Sequence, residues 1–256
     1  MVDYQHIKYD FTDGIAKIIL NRPPLNVLNI EMMKEINKVL ELLLDENSLK
    51  LVVFSAEGKA FSAGVDVSEH LGEQVNEMVK VFHGIFRLLI KLNKPTLAVV
   101  DGACLGGGCE LAAFCDLVIA SENSRFGQPE IQVGVFPPIA CLILPKIISN
   151  KKAMELLLTG SAIKADEAEK VGLINKCIPS DKLQEESDKL IQKFKDLSAS
   201  VLSYTRKAAL NRFNKEFLDY LDEVEDFYLN QLMKTEDAQE GLKAFLEKRK
   251  PEWHNK

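Results

Sequence analysis

Four short runs of β-branched and aliphatic residues punctuate the first half of the chain, with patterns of helical spacing between them. Residues 14–20 (GIAKIIL), 51–55 (LVVFS), 96–100 (TLAVV) and 117–120 (LVIA) are apolar and bounded by turn residues, and they read as buried strands. Ile36, Val39, Leu40 and Leu43 recur at helical spacing between the first two runs, as do Val79, Phe82, Phe86 and Leu89 before the third. This alternation predicts a layered α/β fold.

The pattern changes after Asn150. Helical spacing dominates there, interrupted by a short strand expected over Leu173 to Ile178 and by turn signals at Gly160 and Pro179. Phe213, Phe217, Leu221, Val224, Tyr228 and Leu232 form an apolar stripe at three-and-four spacing, with charged residues on the other faces. The stripe must cover something: either the chain's own core or a second subunit.

At 256 residues, with 46% hydrophobic and 27% charged side chains, the chain is long enough to bury a core without disulfide or metal staples. Its 32 Lys and Arg against 38 Asp and Glu give a net charge of −6, and no long basic run marks a nucleic-acid binder. No apolar run approaches the ~20 residues that span a bilayer, and the first residues lack a basic stretch followed by an apolar core. The expectation is a cytoplasmic protein with no nucleic-acid or membrane partner. Five cysteines in mostly apolar settings suit reduced, buried thiols; Cys104, Cys109 and Cys115 cluster without metal-ligand spacing, and no metal is expected.

No nucleophile elbow, zinc helix or phosphate-binding loop motif occurs, and the four histidines form no recognisable constellation. The segment after the third strand is richer. Gly106, Gly107 and Gly108 stand between a strand and an apolar helical run, where bare backbone N–H groups stabilise a developing negative charge. A tight turn before a helix would also use glycine. Glu110 follows the triplet within apolar residues, and Glu130 follows Gly-Gln-Pro. Carboxyls in such settings have raised pKa values suited to proton transfer, and two facing one cavity would hold a water. Taken singly, Glu110 also reads as a first-turn helix charge and Glu130 as a solvated loop residue. A second small-residue loop, residues 58–66, is placed to bring another N–H opposite the triplet.

Taken together, G-K-A-F-S-A-G-V-D, D-G-x-x-x-G-G-G-C-E-L and R-F-G-Q-P-E-I resemble the enoyl-CoA hydratase/isomerase family, the crotonase superfamily. The resemblance spans essentially the whole chain, with L-N-R-P at residue 20, L-T-G at 158, A-x-x-V-G-L-I at 168 and F-L-E-K-R at 245. It implies a repeated ββα spiral catalytic core, set at residues 1–195, and a helical oligomerisation segment at 196–256 that forms a homotrimer or a dimer of trimers. On that basis the apolar stripe reads as interface. The implied activity is hydration of an α,β-unsaturated acyl-CoA thioester, with Val65 and Gly107 N–H groups holding the thioester oxygen. Glu110 would activate water and Glu130 would protonate the α-carbon. CoA would lie along Ala63 to Asp66, with Lys59 and Lys248 as phosphate partners; no metal or redox cofactor is implied, since CoA arrives with the substrate.

The chain departs from the family pattern in one stretch. Straight-chain hydratases read G-x-x-P-G-A-G-G after the second glutamate, where a glycine N–H helps place the water. Here the stretch is Gly134-Val-Phe-Pro-Pro-Ile-Ala-Cys141, and Pro138 has no N–H to offer. Pro-Pro also suits a helix start. Phe136, Pro138 and Ile139 are expected to reshape the acyl pocket, and the F-P-P stretch resembles that of cyclohexa-1,5-diene-1-carbonyl-CoA hydratases. A double-bond isomerase of the same family and a non-catalytic acyl-CoA-binding protein are the competing readings; the second glutamate argues against the first, and the intact pair with Gly107 against the second.

Overall fold

The structure, a computed structural model, describes residues 4–256. It opens with a hairpin of β1 (Ile7–Thr12) and β2 (Ile15–Leu20), followed by α1 (Ile30–Leu43). Three strand–strand–helix units come next: β3 (Leu51–Ala56), β4 (Ala60–Ser62) and α2 (Gln74–Leu92); β5 (Thr96–Val100), β6 (Ala103–Leu105) and α3 (Gly107–Phe114); β7 (Leu117–Ser121), β8 (Arg125–Gly127) and α4 (Pro138–Ile147). The first strand of each unit enters a six-stranded sheet of order β1-β2-β3-β5-β7-β10. The second enters a four-stranded sheet of order β4-β6-β8-β9. Each unit therefore advances one step in both sheets, which is the expected ββα spiral.

The chain continues through α5 (Asn150–Thr159), β9 (Ala162–Lys164), α6 (Ala165–Lys170), β10 (Lys176–Ile178) and α7 (Leu183–Lys195). It ends with α8 (Ala199–Asn230) and α9 (Glu236–Leu246). The four expected strands stand within a residue of their predicted positions, while the strand expected from Leu173 is confined to β10. Their unbroken apolar character has a cause. Ile18, Val52, Phe54, Ala98 and Val118 face the main core, whereas Leu51, Val53, Leu97 and Ile119 face a second cluster sealed by Leu183 and Ile191 of α7. A strand covered on both sides has no polar face to display.

The stripe on α8 packs on the chain's own core: Phe217, Leu221 and Tyr228 are buried, and Phe217 meets Phe114 at 5.1 Å between ring centroids. This corrects the reading of that stripe as interface, because burying it within one chain already removes its apolar surface from water. The helix leaves other apolar side chains outward, among them Val201, Tyr204 and Tyr220. Cys104, Cys109 and Cys115 are free thiols buried on either side of and within α3. Among the described residues, no cluster of three or more His, Cys, Asp or Glu is arranged to hold a metal, and no helix is long and apolar enough to cross a membrane.

Candidate active site

The chain leaves β4, β6 and β8 at neighbouring positions, because those strands run parallel in the small sheet. The three exits carry, in turn, Ala63 to Val65, Gly106 to Glu110, and Glu130. All three contribute to one cavity of about 400 Å³. Ligand sites at the carboxyl ends of parallel strands follow from this geometry, since successive loops converge there.

The first exit is pinned by a parallel bridge. Leu28 N–H donates to the Gly64 carbonyl at 2.9 Å and Asp66 N–H to the Leu28 carbonyl at 3.0 Å, so Val65 between them cannot bond to Leu28 with its own N–H. At the second exit Gly106 adopts φ +51°, and its N–H donates to the Gly127 carbonyl at 2.9 Å. A side chain here would be strained and would also meet Glu130 Oε1, 2.6 Å from the Cβ position. Gly107 opens α3; a Cβ there would lie 2.6 Å from Val65 Cγ2 and 3.0 Å from Phe82 Cζ. Among the described residues, neither Val65 N–H nor Gly107 N–H has an acceptor, and both residues line the cavity.

Glu110 sits in the first turn of α3, only 2% exposed. Its Oε1 accepts the Ala140 N–H at 2.8 Å, one of the free donors at the start of α4. Burial raises its pKa to about 7, against the opposing pull of the Ala140 and Ile139 N–H groups. Glu130 lies in a single 3-10 turn, Pro129–Val133. Burial raises its pKa well above the usual range, and the Glu110 charge raises it further. Its Oε2 is buried with no hydrogen-bond partner among the described residues. Two such carboxyls in one cavity favour holding a single proton between them.

Ala63, Phe136 and Pro138 also line the cavity. Ile139 does not. It is fully buried beneath α4 and reaches the site only through its backbone N–H, because the helix begins at Pro138 and turns the next side chain into the core. Asp66 is engaged elsewhere, accepting from Ser68 N at 3.1 Å and facing Arg22 at 3.7 Å. Lys59 and Lys248 are exposed on turns outside the cavity.

The opposite wall went unread in the sequence. Tyr228 of α8, and Leu242 and Phe245 of α9, close the cavity, and Phe136 meets Tyr228 edge-on at 5.2 Å. His83 of α2 also lines it, with Nδ1 2.6 Å from Glu225 Oε1 on α8. Arg87 donates to the same carboxylate oxygen at 2.8 Å. Burial pushes Glu225 up, yet the bonds from His83 and Arg87 prevail and hold it at about 2. Burial lowers the His83 pKa more than Glu225 raises it, which keeps the imidazole neutral. Tyr228 was visible as part of the helical stripe, but periodicity does not distinguish core from cavity lining.

Residues 10–256 match the enoyl-CoA hydratase/isomerase family. The chain belongs to that family. It is similar to the cyclohexa-1,5-dienecarbonyl-CoA hydratase of Thauera aromatica, 38% identical over 95% of this chain and 95% of that protein. It is also similar to the crotonyl-CoA hydratase of Syntrophomonas wolfei, 34% identical over 99% of both chains. Among solved structures, an enoyl-CoA hydratase from Mycobacterium avium subsp. paratuberculosis superimposes with a TM-score of 0.89 at 26% identity, covering 99% of this chain and 100% of the other. As a member of this family, the chain is a hydro-lyase-type enzyme with the crotonase fold.

Proposed function

We propose that the enzyme adds water across the double bond of an α,β-unsaturated acyl-CoA thioester, with Glu110 and Glu130 as its acid–base pair. The observation that carries this reading is the placement of two buried carboxyls with raised pKa values in the cavity that also holds the free Val65 and Gly107 N–H groups. The thioester oxygen accepts from those two N–H groups, which stabilise the enolate formed when water attacks Cβ. Ionised Glu110 takes a proton from that water, and protonated Glu130 gives one to Cα. The pair begins and ends with one shared proton, so transfer between the carboxyls restores the starting state.

The acyl group we favour is an alicyclic dienoyl. Phe136 packs between Phe227, at 5.7 Å, and Tyr228, and Phe136 and Tyr228 both present apolar surface to the cavity. The resemblance of the F-P-P stretch and the Thauera relative support the same choice. Exposed Lys59 and Lys248 serve the CoA phosphates, Ala63 to Asp66 flank the CoA chain, and no further cofactor takes part. The outward apolar residues of α8 support assembly of residues 196–256 into a homotrimer or a dimer of trimers, acting in the cytoplasm.

Turnover of crotonyl-CoA and cyclohexa-1,5-diene-1-carbonyl-CoA, with mass-spectrometric detection of water addition, tests both levels. Hydration of either ester supports the reaction class; a strong preference for crotonyl-CoA overturns the alicyclic choice. A shifted double bond without added water would identify an isomerase instead.

A further inference from the structure

Pro138 heads α4 without an N–H, and the N–H of Ala140 is already taken by Glu110. The backbone at this helix start therefore has little left to offer a water beside the carboxyls. A bound water needs two to four polar partners to be held in one orientation. Glu130 Oε2 has no partner among the described residues, Glu110 is held by the Ala140 and Ile139 N–H groups, and the one proton the pair shares goes to Cα. A donor is missing from the set.

The Tyr228 hydroxyl is such a donor. Tyr228 is 2% exposed, lines the same cavity and donates to no group among the described residues. Its ring is fixed from two directions: Phe136 packs against it edge-on, and Glu225, three residues earlier on α8, is anchored to His83 and Arg87 of α2. Burial raises the phenol pKa first, and Glu130 and Glu110 raise it further, so the hydroxyl lies within the field of both carboxyls and keeps its proton. A buried tyrosine hydroxyl ordinarily finds a partner.

We propose that Tyr228 positions the attacking water, donating its O–H to one water lone pair while the water donates to Glu110 and Glu130. The second lone pair is then left facing Cβ. This role rests on the hydration reading above. It makes α8 part of the reaction site and gives the C-terminal helices a function beyond covering the acyl group.

The test is Tyr228→Phe, which keeps the ring and its contact with Phe136. Two rates are measured: hydration of crotonyl-CoA and of the cyclic dienoyl ester, and exchange of the α-proton of butyryl-CoA and cyclohexanecarbonyl-CoA in D₂O. Exchange needs the carboxyl base and the N–H pair but no nucleophilic water. We expect hydration kcat to fall at least tenfold with KM within about threefold, and exchange to stay within about threefold of wild type, consistent with one lost hydrogen bond to a reacting group. Unchanged hydration overturns the role. So does a parallel loss of hydration and exchange, which would mark Tyr228 as packing or as part of the acid–base pair. Wild-type enzyme that exchanges but hydrates neither ester would overturn the hydration reading and the inference with it, and that outcome is visible before any variant is made.

Discussion

The two walls of the cavity are held together by different means. One wall is backbone: Gly106 and Gly107 press so closely on Glu130, Val65 and Phe82 that a single added carbon has no room. The other is made of side chains from α8 and α9, joined to the rest by aromatic contacts and by the bonds of Glu225 to His83 and Arg87. Chemistry that depends on N–H direction belongs on the first wall, because its geometry leaves nothing to adjust. The shape of the acyl group is set on the second, where one side chain can be exchanged for another.

This contrast predicts a descending series of effects. Glu110→Gln and Glu130→Gln should each lower kcat by about 10²–10⁴ with little change in KM, as loss of a proton-transfer group does; a near-normal double variant in steady-state assays would refute the acid–base assignment. The wild-type profile should rise with pH up to about 7, the Glu110 value, and fall again at higher pH, where Glu130 loses the proton it delivers to Cα. The Glu110 value is raised above the unfolded one, about 4.3, so the same group makes the fold less stable as pH climbs from there to about 7.

Gly107→Ala comes next. Its Cβ must displace Val65 Cγ2, 2.6 Å away, and with it one of the two N–H donors. We expect a loss of about 10²–10³ in kcat from disturbing such a donor, whereas Phe245→Ala on the other wall should shift the preference between the two esters while keeping kcat within about tenfold on the better one. Equal losses in the two variants would erase the contrast between the walls.

Glu225→Ala should destabilise the fold by about 1–3 kcal/mol, the range for a charged hydrogen bond whose partners are left buried, read as a lower midpoint in urea. The folded Glu225 value, about 2, lies below that of the unfolded carboxyl. Its contribution is therefore present at neutral pH and lost as pH falls below about 4. In Glu225→Ala that acid-side loss should be smaller. Lys59→Ala and Lys248→Ala are the mildest: each should raise KM by about two- to fivefold, in keeping with exposed charges in high dielectric, and less in high salt.

The glutamates and Gly107 were legible because their signals are local. A glycine run before a helix and a carboxyl among apolar residues each lie within a few positions, as do the strands buried on both faces. The hairpin strand β1 was missed, although Ile7, Tyr9 and Phe11 alternate with polar residues, because only one of its faces is covered. The strands of the small sheet span three residues each, too short for any period to register. Ile139 was misassigned for a different reason: neighbours in sequence point about 100° apart on a helix, so Pro138 lines the cavity and Ile139 does not. His83 and Glu225 are 142 residues apart, and nothing local to either announces the other.

The buried thiols offer a way to watch the backbone wall move. Cys104 Sγ sits 3.5 Å from the Gly108 carbonyl, and Cys104 and Cys109 flank the glycine turn. Burial raises the Cys104 thiol far from the reactive thiolate form, while Cys177 is only partly buried. An alkylating reagent meets Cys177 at once, but reaches Cys104 only during excursions that open the turn. The slow labelling of Cys104, followed separately from that of Cys109 and Cys115 by peptide mapping, is thus an internal clock for how often the glycine turn opens, and a ligand that seats its oxygen there should slow that clock.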